Sequence, residues 1–313
     1  MARRAREHHG PDGLVVVDKP AGWTSHDVVA KSRGLLGTRK VGHAGTLDPD
    51  ATGVLLLGVG RATKLLRFLS PLGKSYVGEV VLGTETSTLD AAGEVTATHH
   101  MDGVVLADVV AAAQRFVGDI EQVPPMVSAV KVDGRRLHEL ARQGIEVERA
   151  PRPVTVHRFD VTPGPPGEPG VYMVAVTCSS GTYVRTLAAD LGHALGGGAH
   201  LRNLRRTAVG PFTLADAVAL EAVSPDRVRP MVEAVRHLAA ATVDPEVAAA
   251  VAVGKVLEAA TLGVEGEGPW AVLGPEGELL AVYEPFRGTT VKPSLVIPPA
   301  LPAPGGGPDD PTP

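Results

Sequence analysis

Residues 41–53 read Val41-Gly42-His43-Ala44-Gly45-Thr46-Leu47-Asp48-Pro49-Asp50-Ala51-Thr52-Gly53, and they lead directly into the apolar run Val54-Leu55-Leu56-Leu57-Gly58-Val59. A short apolar run bounded by glycines is typical of a buried strand. Pro49 biases Asp48 toward an extended backbone, and the glycines permit tight turns or close approach of a ligand. Asp before Pro is also a common turn starter. In this setting the pattern predicts a carboxylate exposed in a loop at the mouth of a sheet, where it is placed for chemistry.

The rest of the chain alternates segments with strand and helix patterns. Thr24 and Asp27 fit a capping box at the start of a helix that ends near Gly37. Residues 84–93 are polar and rich in turn formers, so we expect a loop there. Strands are predicted at 14–17, 54–59, 75–82, 152–161, 171–178 and 200–206, with an extended segment at 127–132 and helices at 62–69, 105–117, 135–143 and 182–195. This order predicts a mixed α/β fold in which a largely antiparallel sheet is flanked by helices.

The predicted domain organisation follows changes in composition along the chain. Residues 1–12 form a basic N-terminal arm, and residues 13–240 form the main domain. Residues 241–299 contain a hairpin pattern at 270–273 and 279–283, which predicts a small β-rich domain. Residues 300–313 are rich in Pro and Gly, and we expect them to be disordered.

The net charge of −5 hides an uneven distribution of charge. The region from residue 240 onward has 10 acids and 3 bases, which leaves 25 acids and 27 bases in the residues before it. The bases of the main domain fall into two clusters, which are Lys131, Arg135, Arg136 and Arg142, and Arg202, Arg205 and Arg206. Such clusters can neutralise several phosphates while the whole chain stays acidic.

The cysteine content and the hydropathy of the chain indicate the cellular compartment in which the protein is expected. The one cysteine, Cys178, excludes an internal disulfide and a multi-thiolate metal site, and its apolar neighbours predict that it is buried. No apolar run has the length that a membrane span needs. The segment at 14–17 is too short for the core of a signal peptide. We therefore expect a cytoplasmic protein with no membrane partner.

Six ordered motifs carry a family resemblance. Gly42-His43-Ala44-Gly45-Thr46-Leu47-Asp48-Pro49 with Ala51-Thr52-Gly53 resembles the catalytic signature of the TruB family of tRNA pseudouridine synthases. The other matches are Val17–Asp27, Lys74-Ser75-Tyr76, Pro124–Lys131, Ser180–Arg185 and Leu204-Arg205-Arg206. Together they span about residues 13 to 215, and six matches in order are far more specific than any one of them.

The resemblance carries expectations about fold and function. It implies a pseudouridine synthase-like catalytic domain at 13–240 and, by position, a PUA-like RNA-binding domain at 241–299. It implies isomerisation of uridine to pseudouridine at position 55 in the T-loop of tRNAs, with the T-stem-loop as the RNA partner. No cofactor, metal ion or guide RNA is expected, and we expect a monomer.

Asp48 is the expected catalytic group. Pseudouridine formation breaks the bond from ribose C1′ to uracil N1, rotates the base and rejoins it through C5, so nothing is oxidised. The reaction needs a carboxylate and a site that retains the detached uracil. Asp48 can add to C1′, add to C6 of the base, or take a proton from C2′, and the sequence leaves these three routes open.

Two further catalytic candidates follow from the resemblance. Arg185 lies just inside a helix that follows Ser180-Gly181-Thr182, where its guanidinium can pair with Asp48 and keep the pKa of that carboxyl low. Tyr76 offers an aromatic face and a hydroxyl to the target base, and Leu204 is expected to form an apolar wall of the pocket. Without the resemblance, the same residues are an ordinary helix-surface arginine, a core tyrosine and a core leucine.

The remaining candidates are expected to bind RNA or support the loop. His43 is the residue best placed to stack on RNA, because a target base in a stem-loop must be extruded at a cost of about a few kcal/mol. The residues expected to contact phosphates are Lys131, Arg205 and Arg206. Lys19-Pro20 is expected to support the catalytic loop as part of the scaffold.

Other functions fit the sequence less well. The 11 histidines are scattered, which argues against a metal hydrolase. Gly58-Val59-Gly60 lacks the third glycine of a dinucleotide-binding loop. Two alternatives remain: a non-catalytic RNA-binding or RNA-folding protein on the same scaffold, and a relative that works in a guide-RNA particle. The acidic C-terminal region and the lack of a long basic tail argue against the second.

Overall fold

The computed structural model of the chain describes residues 10–128, 131–132, 135–136, 143, 145 and 147–298. The chain divides into two compact units between Arg229 and Pro230. The predicted basic arm, apart from residues 10–12, and the predicted disordered tail at 300–313 lie outside the described residues.

The first unit combines four helices with fourteen strands in the described ranges. The helices are α1 (Ser25–Leu35), α2 (Leu66–Leu69), α3 (Leu106–Gln114) and α4 (Val184–Ala194). The strands are β1 (Gly13–Lys19), β2 (Val41–Ala44), β3 (Thr52–Val59), β4 (Lys74–Leu82), β5 (Thr84–Thr86), β6 (Val95–Thr98), β7 (Gly118–Gln122), β8 (Lys131–Val132), β9 (Arg135–Arg136), β10 (Arg152–Pro163), β11 (Val171–Cys178), β12 (Ala199–Val209), β13 (Phe212–Thr213) and β14 (Val218–Ala219). Short 3₁₀ turns lie at Gly60–Leu65, Leu214–Asp216, Leu220–Ala222 and Pro225–Arg227.

Ten of these strands form one mixed sheet. Its order is β14-β1-β3-β12-β4-β11-β10-β7, with β2 alongside β3 and β13 alongside β12. Only β1 with β14 and β3 with β12 pair in parallel among the described strands of this sheet. The predicted mixed α/β fold with a largely antiparallel sheet is therefore confirmed.

Helices cover the sheet through two apolar clusters. In one cluster Leu187 and Leu191 of α4 pack with Val109 of α3 and with Phe159 and Val174 of the sheet. In the other, α1 packs against β1 and β3 through Val28 and Val29. The start of α1 has the predicted capping box, in which Thr24 N donates to Asp27 Oδ2 and Asp27 N donates to Thr24 Oγ1, at 2.9 and 3.0 Å.

The register of three neighbouring strands places residues from three of the six sequence motifs side by side. Arg206 of β12 lies opposite Gly53 of β3 and opposite Tyr76 of β4. Gly53 has φ +102°, and a Cβ at this position would lie 2.1 Å from the backbone oxygen of Arg206. Only glycine allows β3 to approach β12 this closely, so the end of the Asp48 loop is fixed against β12.

A bulge in β12 lies beside this row. The register of β12 against β4 shifts between Arg202 and Arg205, and Asn203 has φ +53°. A bulge of this kind bends a strand and redirects its side chains. It lies immediately before Leu204, one of the residues predicted to line the pocket.

Two local predictions are wrong at their first residues. The sequence predicts a loop at 84–93, but Thr84–Thr86 forms β5, which pairs with β6. It predicts a helix at 135–143, but Arg135–Arg136 pairs as β9 with β8. Residues 137–142 of this prediction lie outside the described residues. Asp-Gly at positions 133–134 is a sequence signal for a hairpin, which accounts for strand pairing at the start of this segment.

The second unit is a small β-rich domain, as the sequence predicts. Its strands are β15 (Ala239–Thr242), β16 (Leu257–Glu258), β17 (Trp270–Leu273), β18 (Leu279–Pro285) and β19 (Thr290–Val296), its helices are α5 (Pro245–Ala252) and α6 (Ala259–Leu262), and a 3₁₀ turn lies at Met231–Val235. The five strands form a sheet in the order β15-β17-β18-β19-β16 around buried Trp270 and Tyr283. The predicted domain boundary after residue 240 falls within β15, which is a strand of this sheet.

Candidate active site

Lys19 anchors the backbone of the loop that carries Asp48. This side chain, at the end of β1, is fully buried. Its Nζ donates hydrogen bonds to the carbonyl oxygens of Pro20, Trp23 and Pro49, at 2.9, 2.6 and 2.8 Å. Burial lowers the pKa of Lys19 to about 8, against the opposing fields of three nearby aspartates. The geometry supports the predicted scaffold role of Lys19 and Pro20, because the bond to Pro49 fixes the residue that follows Asp48.

Two other elements hold the same loop. Ser25 Oγ, from α1, accepts a hydrogen bond from Leu47 N at 2.9 Å. Arg206, from β12, donates from Nη2 to the carbonyl oxygen of Gly45 at 2.9 Å and from Nε to that of Val54 at 2.7 Å. Three separate elements of the fold therefore set the backbone on both sides of Asp48, which is the condition for a preorganised site.

Asp48 forms a two-point ion pair with Arg185 near the start of α4. Arg185 Nε lies 3.1 Å from Asp48 Oδ2, and Nη2 donates to Oδ1 at 3.4 Å. The Arg185 side chain is 6% exposed and the Asp48 side chain is 42% exposed. The arginine is thus buried behind the carboxylate, and the carboxylate remains open to a ligand.

The other donors of Arg185 are also committed. Nη1 donates to the carbonyl oxygen of Thr88 at 2.9 Å and to Asp90 Oδ2 at 3.2 Å. Nη2 also donates to the carbonyl oxygen of Val127 at 2.9 Å. One guanidinium therefore ties α4 to the Asp48 loop, to the turn between β5 and β6, and to the segment after β7.

The electrostatics of the pair differ from the expectation. Burial raises the pKa of the Asp48 carboxyl above its usual value, Arg185 opposes this shift, and the nearby Asp90 carboxylate adds to it. The expectation that Arg185 keeps this pKa low has the wrong direction, because removal from water outweighs the attraction of the guanidinium, which Asp90 shares.

Asp48 opens onto a cleft of about 250 Å³. Tyr76, Leu204 and Arg185 line this cleft together with Asp48, so the structure brings the predicted catalytic and pocket residues to one place. Burial raises the pKa of the Tyr76 hydroxyl, which keeps it protonated. The lining of this slot thus includes a carboxylate, a phenol and the apolar side chain of Leu204, a combination that suits a planar heterocycle.

Arg206 lies in a different environment from the one expected. It was predicted to contact phosphate, but it is 1% exposed and its guanidinium is directed at backbone carbonyls and at the Tyr76 hydroxyl. Arg205 points the other way and forms a two-point pair with Asp18, at 3.0 and 2.6 Å. The phosphate role of Arg206 is wrong, because a strand alternates its side chains and β12 turns this one into the core. The phosphate role of Arg205 stays a prediction.

These adjacent arginines should differ sharply in their effect on stability. Arg206→Lys is expected to lower the free energy of unfolding by about 3 kcal/mol, because a buried carbonyl left without a donor costs about 1–3 kcal/mol. Arg205→Lys is expected to cost about 0–1 kcal/mol, since its pair with Asp18 is 35% exposed on both sides. Urea unfolding of the two variants measures the difference, and equal losses would contradict the buried role of Arg206.

His43 does not line the cleft in the described structure. It lies in β2, and its ring makes an edge-to-face contact with His26 at 5.3 Å between centroids. Burial lowers the pKa of His43 to about 4, so the ring is neutral at neutral pH. A neutral ring suits stacking on a base better than binding a phosphate, and the stacking role stays a prediction. The side chain of Lys131 lies outside the described residues.

Sequence reasoning missed two residues of the site. Asp90, in the turn between β5 and β6, is the second carboxylate on Arg185. No local pattern marks it, because its partner is 95 positions away in the sequence. Lys74 lines the cleft beside Tyr76. The sequence did contain a signal for Lys74, because residues i and i+2 of a strand share one face, and Lys74 is therefore on the same face of β4 as Tyr76.

The described residues contain no cluster of His, Cys, Asp and Glu able to hold a metal ion. Within the same residues, every helix is too short or too polar to cross a membrane.

Comparison with known proteins identifies the family. Residues 33–184 match the TruB family pseudouridylate synthase N-terminal domain, and residues 185–235 match the tRNA pseudouridylate synthase B C-terminal domain. The tRNA pseudouridine synthase B of Rhodococcus jostii is 50% identical over 92% of this chain and 94% of its own length. That of an Arthrobacter species is 46% identical over 94% of this chain and 99% of its own length.

Solved structures agree at the level of the fold. A Cbf5-Nop10-Gar1 complex contains a chain with a TM-score of 0.71 and 27% identity, over 95% of this chain and 92% of that one. An archaeal box H/ACA sRNP Nop10-Cbf5 complex gives a TM-score of 0.70 and 26% identity, over 94% and 90% of the two chains. With its ordered motifs, its sheet and its carboxylate cleft all in agreement, this chain belongs to the TruB family of pseudouridylate synthases.

Proposed function

We propose that this enzyme converts uridine to pseudouridine at position 55 in the T-loop of tRNAs, in the cytoplasm, as a monomer and without a guide RNA. The observation that carries the proposal is the Asp48 carboxylate, which Arg185 holds by two contacts at the edge of a slot walled by Tyr76 and Leu204. The curated relatives at 43–50% identity are named for action on tRNA, whereas the H/ACA neighbours share 26–27% identity.

The geometry divides the work of the reaction among these residues. Asp48 provides the carboxylate that adds to the nucleoside or takes its proton. Arg185 fixes the orientation of that carboxylate through paired donors, which a lysine cannot reproduce. Tyr76 and Leu204 hold the faces of the base while it turns, so the detached uracil does not diffuse away. No step draws electrons from another molecule.

A base in a stem-loop reaches this slot only after extrusion, so RNA binding must offset the cost of unstacking. Residues 28–78 contain eight lysines and arginines but only two acids, Asp48 and Asp50. Six of these cations are exposed, and we call them the basic surface: Lys31, Arg33, Arg39, Lys40, Lys64 and Arg67. They lie on α1, on the connection to β2, and on the 3₁₀ turn and α2, all of which contact β2. Because β2 leads directly into the Asp48 loop, this surface can hold the phosphates of a stem whose loop enters the cleft.

Charge reversal on the basic surface tests this binding role. Lys40→Glu with Lys64→Glu is expected to weaken RNA binding at least about tenfold and to reduce the slope of log K against log salt by about 2, as the loss of two phosphate contacts requires. The matched control is Arg158→Glu on β10, whose side chain is 67% exposed. Filter binding between 50 and 200 mM salt measures both quantities. An unchanged salt slope would contradict the role of the basic surface.

Site mapping tests the proposed substrate. The purified chain alone is incubated with an unmodified tRNA transcript, and pseudouridine is located by mass spectrometry of nuclease fragments. The proposal predicts one pseudouridine, at position 55. Modification only after a guide RNA is added would favour action in an RNA-guided particle, and RNA binding without any modification would favour a non-catalytic RNA-folding protein.

A further inference from the structure

The cations around the cleft differ in how many of their N–H donors have a hydrogen-bond acceptor in the protein. An arginine has five N–H donors and a lysine ammonium has three. Arg185 directs its donors to Asp48, Asp90 and two carbonyl oxygens. Lys19 directs its three donors to three carbonyl oxygens. As far as the described residues go, neither cation has a donor left for a substrate.

Lys74 differs from both. It lies at the start of β4, is 6% exposed and lines the same cleft as Asp48. Its Nζ donates to the carbonyl oxygen of Ser70 at 2.7 Å and to Ser180 Oγ at 2.9 Å. These two partners account for two N–H groups in the described structure, which leaves the third for a group in the cleft.

The charge of Lys74 is also uncompensated. No carboxylate in the described part of the chain forms an ion pair with it, and its charged neighbour is the Arg206 guanidinium. Gly45 of the Asp48 loop, with φ +76°, lies close to both cations, since a Cβ there would be 3.5 Å from Arg206 Nη1 and 3.7 Å from Lys74 Cε. Burial of cations without an opposite charge is unfavourable. A ligand that brings negative charge into the cleft would remove this penalty.

The reaction produces such a charge. When the C1′–N1 bond breaks, its electron pair stays with the uracil, so the detached base is a monoanion with charge on N1, O2 and O4. The ribose is left bonded to Asp48 through C1′, or loses its C2′ proton to Asp48. The bond from C5 to C1′ then forms as the bond from Asp48 to C1′ breaks or, on the second route, as Asp48 returns the proton to C2′. C5 then loses its proton and N1 gains one. The isomerisation balances without another reactant.

We infer that Lys74 contacts the substrate: its Nζ donates the third N–H to a carbonyl oxygen of the target uracil and stabilises the anion formed when the glycosidic bond breaks. This role rests on the proposed function. Donors aimed at developing negative charge in a site shielded from water typically contribute about 10²–10³-fold to kcat. Lys74→Met is therefore expected to lower kcat by about that factor while RNA affinity is unchanged, because Lys74 is buried in the lining of the cleft and is not one of the exposed cations of the basic surface.

The pH dependence gives a signature that a structural role would not. Burial lowers the pKa of Lys74 to about 8, with Arg206 adding to the shift. The active form is the protonated one, so kcat/KM of the wild type should be full below this pKa and fall as pH rises through about 8. Lys74→Arg keeps the charge and is expected to fold, and its guanidinium stays protonated, so the fall in kcat/KM that Lys74 causes should disappear. A fall caused by Lys19, whose pKa is also lowered to about 8, should remain in both proteins.

The experiment compares wild type, Lys74→Met and Lys74→Arg on a T-stem-loop whose target is uridine, 2-thiouridine or 4-thiouridine. Thermal unfolding and filter binding check folding and RNA affinity. Sulfur is the weaker acceptor, so one thio substitution should slow the wild type and slow Lys74→Met no further. If Lys74→Met does not fold, the same comparison is made between wild type and Lys74→Arg, together with their pH profiles.

The outcomes separate this role from the proposed function. Loss of additivity at one of the two oxygens, with a reduced alkaline limb in Lys74→Arg, supports the contact and identifies the oxygen. Thio effects that are equal in all proteins, or an alkaline limb that is identical in the wild type and Lys74→Arg, would overturn it while the wild type remains an active synthase. A wild type that makes no pseudouridine would overturn the proposed function and this role with it.

Discussion

Asp48→Asn is expected to abolish pseudouridine formation, with kcat lowered about 10⁴-fold or more and RNA affinity changed by less than about threefold. The amide has the shape of the carboxylate but no negative charge, so it neither adds to the nucleoside nor takes a proton. Its NH₂ group would also face the donors of Arg185, which lie 3.1 and 3.4 Å from the two carboxylate oxygens. The loss therefore falls on the chemical step.

The control for this variant lies two positions along the same loop. Asp50 is exposed and forms no ion pair within the described structure, so Asp50→Asn should retain turnover. Single-turnover assays and filter binding on the same T-stem-loop RNA measure both variants. Turnover by purified Asp48→Asn would refute the assignment of the catalytic group, and loss of RNA binding by Asp48→Asn would show that the residue acts before the chemistry.

Arg185→Lys is expected to lower kcat by about 10²–10³-fold, although the charge is kept. An ammonium cannot span Asp48, Asp90 and the carbonyl oxygens of Thr88 and Val127 at once. Removing one partner of a buried charge network costs about 3–5 kcal/mol, because the remaining groups lose their hydrogen bonds. Asp48 would then keep its negative charge but lose its fixed orientation.

The test of Arg185 needs a matched lysine variant and a graded series. Arg205→Lys, on a neighbouring strand but paired with Asp18, should keep kcat near that of the wild type. Asp90→Asn should fall between the two, by about tenfold, because it removes one of the two carboxylates that hold the guanidinium. Single-turnover rates on one RNA measure the series. Equal kcat for Arg185→Lys and Arg205→Lys would contradict the positioning role of Arg185.

Local sequence patterns were sufficient to predict the elements that carry and support Asp48. The glycine-bordered loop and the apolar run after it placed Asp48 beside β3, and the capping box placed the start of α1. These features depend on neighbours within a few residues. Motif order supplied the long-range information that brought Tyr76, Leu204 and Arg185 together with Asp48, which no periodicity could have given.

What sequence could not give depends on burial and on distant partners. Arg205 and Arg206 are adjacent and chemically identical, and only the pleat of β12 decides which is 1% exposed and which faces Asp18. The contact of Asp90 with Arg185 could be recognised only in the folded structure, where the turn after β5 lies against α4. The direction of the Asp48 pKa shift depends on how much water the surrounding protein removes, which is a property of the packed structure.

Release of tritium from [5-³H]uridine at the target of a T-stem-loop RNA tests the central claim most directly, because the new bond forms at C5 and its hydrogen must leave. The catalytic role of Asp48 predicts one tritium released per RNA by the purified chain and none by Asp48→Asn. Failure of the wild-type chain to release tritium from an RNA that it binds, or equal release by both proteins, would contradict it.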